Sequence, residues 1–498
     1  MSEIIKNFIA GSWCDAEDGR RFDSLNPANV HETVATAPLS SRGDVDRAVA
    51  AARTALPGWR MLPAPRRGEI LFKAAELLLK NKERLGILLT REMGKVIAEG
   101  LGDVQEAIDI GYYMAGEGRR LQGEVVPSEL PDKDCKSVRM PLGVVALVTP
   151  WNFPIAIPAW KMFAALICGN TVILKPSSET PACAAALVEI MEQAGIPAGV
   201  VNFLCGPGRE VGEYLLTHPG VDAASFTGSS EAGESLERRM AGLHRPIALE
   251  MGGKNAIIVM DDADLELAVE GAIWGGFGTS GQRCTAASRV VVHEQVYARF
   301  VGMFAERASS MKVGPGLQSE TDLGPLINKA QFEKVQEYIR IGQAEGAQLV
   351  TGGNRISDGE LASGFFMAPT IFAGVTREMR IAQEEIFGPV VSVISCSSLE
   401  EAIDIVNDSK FGLSSAIYSR DVNTTARAER ELATGIVYIN ASTIGAEVQL
   451  PFGGWRHSGS GHPEAGGKGG AIDFFTRMKV IYRDYSGKLQ RAQIDKAE

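Results

Sequence analysis

The sequence is poor in the residues that hold metals or staple small folds. Its 498 residues include six histidines and seven cysteines, the latter standing singly at 14, 135, 168, 183, 205, 284 and 396. No Cys-x-x-Cys pair and no companion histidines at metal-ligand spacing occur, so neither a zinc site nor a disulfide framework is expected. An odd, scattered set of cysteines fits a reducing compartment. The start, Met-Ser-Glu-Ile-Ile-Lys, lacks a basic stretch followed by a long apolar core, which makes the cytoplasm the expected location. Positive charge is also scarce: 50 Lys and Arg against 61 Asp and Glu leave a net charge of -11. That balance argues against a nucleic-acid or anionic-membrane surface, while a local basic pocket could still hold a phosphate.

One stretch, Pro141 to Trp160, carries no formal charge and is about as long as a membrane span. Pro141, Pro150, Pro154 and Pro158 would break a spanning helix repeatedly, whereas a buried strand, a turn and a new helix accommodate them. With 45% hydrophobic residues the chain can bury large cores, and its length suggests two to four domains. After an extended start, 44–56, 65–80 and 101–116 show helical apolar spacing, the second with Pro65 near a favoured first-turn position. From Gly143 onward short β-branched runs at 144–148, 171–174, 200–204 and 223–227 alternate with helical segments, the βαβ pattern of a parallel sheet. A second such block runs through 256–260, 289–293, 390–395 and 436–439. The segments 122–141 and 468–487 fit neither block. The latter reads as a strand with exposed edges, which invite pairing with another subunit; 459–470 reads as a glycine-rich loop.

Chemistry concentrates in a few motifs. Gly-Gln-Arg-Cys-Thr at 281–285 follows Leu-Glu-Met-Gly-Gly-Lys at 249–254. A thiol attacks only as thiolate, and a covalent intermediate built on it needs a carboxylate-activated water for release. Cys284 and Glu250 are candidates for those two roles, although singly the one reads equally as a small buried hydrophobe and the other as a surface charge. Thr-Pro-Trp-Asn-Phe-Pro at 149–154 follows the apolar run 144–148, placing Asn152 just past a strand's carboxyl end, where open α/β sheets bind ligands. The flanking prolines stiffen the turn, which suits an amide aimed at a developing oxyanion; an ordinary strand-to-loop exit reads the same way.

Further segments complete a pattern: Gly-Asn-Thr-Val-Ile-Leu-Lys-Pro-Ser-Ser-Glu-Thr-Pro at 169–181, Phe-Thr-Gly-Ser-Ser-Glu-Ala-Gly at 226–233, Glu-Glu-Ile-Phe-Gly-Pro at 384–389 and Pro-Phe-Gly-Gly at 451–454. In order and spacing the chain resembles the aldehyde dehydrogenase superfamily over nearly its whole length. The resemblance implies an α/β fold with two Rossmann-type parallel-sheet domains and a protruding β-ribbon for oligomerisation into a homodimer or homotetramer. Residues 1–121 and 142–249 would form the dinucleotide-binding domain and 250–467 the catalytic domain. The ribbon would comprise 122–141 and 468–487, with 488–498 a tail.

The implied reaction is oxidation of an aldehyde to its carboxylic acid with hydride transfer to NAD(P)+. Cys284 attacks the aldehyde carbon while Asn152 and the Cys284 amide stabilise the oxyanion. The thioester left after hydride transfer is hydrolysed by water that Glu250 deprotonates. Lys161 would assist proton transfer by family analogy, and reads equally as a structural lysine.

For the cofactor, 228–233 follows a strand and opens a helix, so its amides could face a pyrophosphate, although it departs from GxGxxG and reads alone as a glycine turn. By resemblance Gly208, Thr227, Gly228, Ser229, Thr149 and Trp151 approach the cofactor, and Lys175 contacts the adenosine ribose. Glu385 and Phe387 hold the nicotinamide ribose and flank the ring, a stretch that also reads as a helix end and turn. Many NAD-preferring members carry a glutamate where this chain has Ser178. Serine removes a charge that would repel a 2′-phosphate, so NADP+ is expected to be accepted and even favoured, with Lys175, Ser177 or Ser178 donating to the phosphate.

For the substrate, the likeness is greatest to the α-ketoglutaric-semialdehyde branch, through Pro-Trp-Asn-Phe-Pro-Ile-Ala-Ile-Pro-Ala-Trp-Lys. The succinate-semialdehyde type carries carboxylate-binding arginines where this chain has Trp160 and Gly278. Phe153, Trp160, Thr285 and Phe452 would line the pocket, and the loop 441–450, with Glu447 and Gln449, would close it. Arg283 could lower the thiol pKa, meet an anionic substrate group or form a structural salt bridge. A broad aliphatic or aromatic aldehyde remains the alternative to an anionic semialdehyde. Arg456 replaces the usual lysine after Pro-Phe-Gly-Gly and His462 a common arginine, departures that bear on loop conformation. The rival functions are a CoA-acylating enzyme, against which Glu250 argues, a cofactor-independent esterase, and a non-catalytic binding protein.

Overall fold

The computed structural model describes residues 3–495. Among them, no helix is long and apolar enough to cross a membrane. Residues 144–167 form the fully buried strand Val144–Val148, a proline-bounded turn and the buried helix Ala156–Ile167.

Two seven-stranded sheets organise the chain. The first runs in the order Ile247–Glu250, Ala223–Thr227, Val144–Val148, Thr171–Lys175, Val201–Phe203, Asn7–Ile9, Ser12–Cys14. Its first five strands are parallel and the N-terminal hairpin adds an antiparallel edge. The central strands are apolar and buried throughout because helices cover both faces. The second sheet runs Gln348–Thr351, Thr370–Ala373, Val390–Cys396, Ala287–His293, Asn255–Val259, Ser414–Tyr418, Ile436–Ile439, parallel except at its first edge. Its own cores lie on either face.

The expected helices are longer than their apolar spacing suggests: Arg42–Met61, Ala64–Lys80 and Ile97–Glu117. The first starts at a reciprocal cap in which the Ser41 hydroxyl accepts from the Asp44 amide and the Asp44 carboxylate from the Ser41 amide. Glu250 departs from the expected boundary. Its strand pairs with Ala223–Thr227, so it belongs by hydrogen bonding to the first sheet although 250–467 was assigned to the second unit. The stretch 468–487 is likewise not one strand: Ala471–Phe474 is a helical turn buried under the first core, and only Thr476–Asp484 is extended. That strand joins Lys133–Pro141 and Glu124–Pro127 in a separate three-stranded antiparallel sheet.

Candidate active site

Cys284 is presented by a strained turn. After the helix Leu265–Phe277, residues Thr279, Ser280 and Gly281 take φ of 53°, 57° and 67°. At Gly281 a Cβ would stand 2.2 Å from the Gly388 carbonyl, so both space and φ demand glycine. Left-handed non-glycine residues cost about 1–3 kcal/mol each and need support. Here the Thr279 amide donates to Glu99 Oε1 at 2.7 Å, the Ser280 hydroxyl to the Gly324 carbonyl at 2.8 Å, and Gln282 Oε1 accepts from the Ile327 amide at 2.9 Å. Asn255 Nδ2 holds the Cys284 carbonyl at 2.7 Å, leaving the half-buried thiol facing a cavity.

Glu250 arrives from the other sheet. Its Oε2 accepts from the Gly454 amide at 3.1 Å, while Oε1 is buried and has no partner among the described residues. Cβ atoms at Gly453 and Gly459 would each come 3.1 Å from that oxygen, so these glycines make room for the carboxylate. Burial, and then the negative charge of Glu464, push the Glu250 carboxyl well above its ordinary value. Burial and the same carboxylates push the Cys284 thiol up to about 12. Arg283 does not offset this. It donates to Thr279 Oγ1 at 2.9 Å and Glu99 Oε1 at 3.3 Å, with its guanidinium 5.2 Å from the Phe153 ring centroid and 4.9 Å from that of Trp274. The reading in which Arg283 lowers the thiol pKa is therefore corrected: the charges acting on the thiol are the carboxylates, while Arg283 pairs with Glu99 and lines the second cavity.

Two cavities meet at Cys284. One is lined by Trp151, Asn152, Gly228, Ser229, Glu385 and Phe387, and the other by Phe153, Trp160, Glu250, Arg283, Thr285 and Phe452, with Ile157, Thr227, Met251 and Cys284 common to both. The first suits a dinucleotide's reactive end. Trp151 and Phe387 meet edge to face at 5.4 Å, and Gln331 Nε2 holds the Phe387 carbonyl at 2.7 Å, pinning a residue whose φ is 61°. Glu385 Oε1 accepts from the Gly253 amide at 2.9 Å. A neighbouring cleft containing Gly208, Gly212, Phe226 and Ser229 extends the groove along the helix Ser230–Ala241, which Ser229 caps. This glycine-bordered groove and helix N-terminus fit a pyrophosphate and nucleoside.

The remaining expected residues lie differently. Thr149 is buried with its hydroxyl unpartnered. Lys175, Ser177 and Ser178 follow the strand Thr171–Lys175 but line neither cavity: Lys175 Nζ donates to the Pro176 carbonyl at 2.8 Å, Ser178 Oγ to the Gly206 carbonyl at 3.0 Å, and Ser177 Oγ accepts from the Glu179 amide at 3.2 Å. Burial lowers Lys175 to about 8. Lys161 is fully buried, ion-paired to Glu464 and 2.6 Å from Ser225 Oγ, so it reaches the second cavity only through Glu464. Asn152 Nδ2 donates to the Gln282 carbonyl at 3.1 Å, which aims its amide along the loop that carries Cys284. In the loop 441–450, Ile444, Gly445 and Ala446 line the cavity, while Glu447 and Gln449 bond to each other.

Sequence reasoning missed Glu464, Glu106, Gln331 and Lys334, all cavity-lining. Each is a polar residue on a helix or loop with no motif around it, and only the fold brings it to the site.

Comparison with known proteins agrees with this geometry. A model of the aldehyde dehydrogenase family matches residues 13–481. The chain is 43% identical to an alpha-ketoglutaric semialdehyde dehydrogenase of Bacillus subtilis, covering 96% of this chain and 97% of that protein. It is 42% identical to an alpha-ketoglutarate semialdehyde dehydrogenase of Haloferax volcanii, covering 97% and 100%. Among solved structures, a betaine aldehyde dehydrogenase from Staphylococcus aureus in complex with NAD+ aligns with a TM-score of 0.94 at 35% identity, covering 97% of this chain and 96% of that one.

Proposed function

The chain belongs to the aldehyde dehydrogenase family and oxidises aldehydes to carboxylic acids; from that premise we propose that its substrate is a semialdehyde carrying a far carboxylate, with Cys284 as nucleophile and Glu250 as base. The observation that carries the chemical assignment is the position of Cys284 where the two cavities meet, with the unpartnered Glu250 oxygen in one of them. Arg283 supports the anionic substrate, since its guanidinium lines the aldehyde cavity and its engaged N–H groups leave others free. The Bacillus subtilis and Haloferax volcanii relatives are named for such a semialdehyde. The aromatic walls Phe153, Trp160 and Phe452 favour a second reading, an alkylammonium aldehyde of the kind the Staphylococcus aureus relative is named for.

Trp151, Thr227, Gly228, Ser229, Glu385 and Phe387 would hold NAD(P)+, which when bound supplies a hydride acceptor and a positive ring in the cavity that Cys284 also lines. The thiol must shed its proton to attack. Glu250 lines the same cavity, and its burial raises its proton affinity, which suits it to take that proton. As the Cys284 sulfur bonds the carbonyl carbon, the oxygen gains charge and accepts from Asn152 Nδ2. Before the second half Glu250 passes the thiol's proton to solvent; it then takes a proton from water, the water oxygen bonds the thioester carbon, and the carbon–sulfur bond breaks to release the acid and the Cys284 thiolate. Glu464, ion-paired to Lys161 and hydrogen-bonded to Thr227, holds the far side of this acidic cluster. Ser178 in place of a carboxylate supports acceptance of NADP+, with Lys175 leaving the Pro176 carbonyl to meet the phosphate. The three-stranded ribbon, with Val125, Met478, Val480 and Tyr482 exposed, supports assembly of like subunits through that sheet, to be checked by light scattering.

The test is reduction of NAD+ and NADP+ in parallel with uncharged, carboxylate-bearing and alkylammonium aldehydes, for wild type and Cys284→Ala. The reading expects the carboxylate-bearing aldehydes to turn over fastest and the variant to be inert. Persisting turnover in Cys284→Ala, or a preference for another aldehyde class, contradicts it.

A further inference from the structure

Lys95, Glu99 and Asp103, spaced four apart, stand just before and within the first turns of the helix Ile97–Glu117. That spacing puts side chains on one side of a helix, and this side faces the two turns that carry Asn152 and Cys284. Asp103 Oδ1 accepts from the Ala156 amide at 2.7 Å. Ala156 opens the helix Ala156–Ile167, whose cap residue Ile155 offers no side-chain acceptor, so Asp103 satisfies an otherwise orphaned donor from outside. Asp103 Oδ2 pairs with Lys95 Nζ at 3.1 Å, both side chains fully buried, and that ammonium sits 3.8 Å from the ring centroid of Phe153, the neighbour of Asn152. Glu99, its side chain 6% exposed, reaches the other turn: Oε1 accepts from the Thr279 amide at 2.7 Å and from the guanidinium of Arg283, the neighbour of Cys284, at 3.3 Å. We infer that Glu99 is a positioning residue: it holds the Cys284 turn in register with Asn152 by tying it to the helix on which Lys95 and Asp103 fix the Asn152 turn. This rests on the roles of Cys284 and Asn152 given above.

The two turns come from different halves of the molecule. The helix Ile97–Glu117 packs into the first sheet's core, as do the elements on either side of Asn152. The Cys284 turn lies between the helix Leu265–Phe277 and the strand Ala287–His293 of the second sheet. Thr279 and Ser280 hold left-handed φ of 53° and 57°, so this turn would relax if its outside bonds were lost. Asn152 follows the same turn. One hydrogen of its amide is committed to the Gln282 carbonyl at 3.1 Å, which leaves the other for the oxyanion and sets the direction in which it points. Movement of 279–283 therefore displaces the sulfur and reorients the amide together. Loss of Glu99 disables neither group; it spoils their mutual placement, and a misplacement of about 1 Å costs about 100-fold in rate.

The experiment compares wild type, Glu99→Ala, Glu99→Asp, Glu99→Gln, Asn152→Ala and the double variant Glu99→Ala with Asn152→Ala. One rate is nucleotide reduction in the first turnover, with propanal and saturating NAD+, followed by stopped-flow fluorescence. The other is alkylation of Cys284 by iodoacetamide in the ligand-free protein, located by peptide mass mapping. The first needs sulfur and amide together, the second the sulfur alone, and propanal keeps any contact between Arg283 and a substrate carboxylate out of the comparison. Glu99→Ala is expected to slow the first turnover about 100-fold, and alkylation by less than about threefold. Glu99→Gln, which keeps an acceptor for the Thr279 amide, is expected to recover most of the first-turnover rate. Glu99→Asp keeps the charge but is one methylene too short for that amide; it is expected to match Glu99→Ala, and replaces it should the alanine variant not fold. The double variant is expected to be hardly slower than Asn152→Ala. A near-wild-type first turnover in Glu99→Ala or Glu99→Asp, equal losses in both rates, or multiplied losses in the double variant overturn the positioning role and leave the roles of Cys284 and Asn152 standing. An unaltered first turnover in Asn152→Ala removes the role of Asn152, and the positioning role with it.

Discussion

Gly252→Ala tests how the Glu-Met-Gly-Gly-Lys motif serves the cofactor. A Cβ at this position would stand 2.2 Å from Glu385 Oε2 and 2.5 Å from its Cδ. The obstacle is the end of a side chain rather than backbone, so the expected response is eviction of the Glu385 carboxylate with loss of its bond from the Gly253 amide. Gly252 has no left-handed φ, so alanine fits its backbone; stiffening the unfolded chain returns about 0.4–1 kcal/mol against about 1–3 kcal/mol for the disturbed carboxylate. Thermal stability should therefore shift only modestly. Nucleotide affinity should fall further, because a hydrogen bond to a charged acceptor contributes about 1.5–3 kcal/mol, or about 10- to 150-fold in Kd. The assay is fluorescence titration of the ligand-free protein with NAD+ and NADP+ for wild type, Gly252→Ala, Glu385→Ala and the double variant. If the glycine acts through the carboxylate, the second substitution adds almost nothing to the first. Independent, additive losses, or unaltered affinity in Gly252→Ala, would refute the reasoning.

Lys161→Met should destabilise by about 3–5 kcal/mol in chemical denaturation, because Glu464 would be left buried and uncompensated. Adding Glu464→Gln should recover most of the loss; unchanged stability in Lys161→Met would show the pair contributes nothing. Glu92 is fully buried and caps the helix Pro181–Ala194 from outside, accepting from the Ala182 and Cys183 amides at 2.8 Å each. Burial raises its carboxyl from 4.5 to about 7, so the folded state binds this proton more tightly than the unfolded state. Its contribution is present at acid pH and lost as pH rises from 4.5 to about 7, by about 3 kcal/mol. Unfolding curves across that window should decline less with pH in Glu92→Gln than in wild type, and parallel curves would contradict the assignment.

Much of the first sheet was legible because its central strands are buried on both faces and read as unbroken apolar runs such as Val144–Val148. The outer strand Ile247–Glu250 was hidden inside a motif already read as chemistry. The helix Lys82–Met93 was passed over because the single residue Asn81 separates it from Ala64–Lys80. In the site, residues carried by motifs came together: Cys284, Asn152, Trp151, Phe387 and Phe452 all line the paired cavities. Glu106 and Glu464 did not announce themselves, since a glutamate on a helix face or after a proline looks solvated until the tertiary fold buries it. Lys175 and Ser178 show the opposite limit: the sequence puts them at the end of the strand Thr171–Lys175, but not the rotamers by which they bond the Pro176 and Gly206 carbonyls.

Cys284 enters the second sheet through the strand that begins at Ala287, whereas Glu250 ends the outer strand of the first. Sulfur and carboxylate are thus mounted on separate platforms and meet only where those platforms abut. A small twist between the halves would change the gap between attacking atom and proton acceptor before it changed either cavity's lining. Substitutions far from both cavities, anywhere along the seam, would then register first as altered turnover and only later as altered affinity. Under the proposed roles of Cys284 and Glu250, the seam would set the rate and would be open to tuning without a single exchange among the residues that line either cavity.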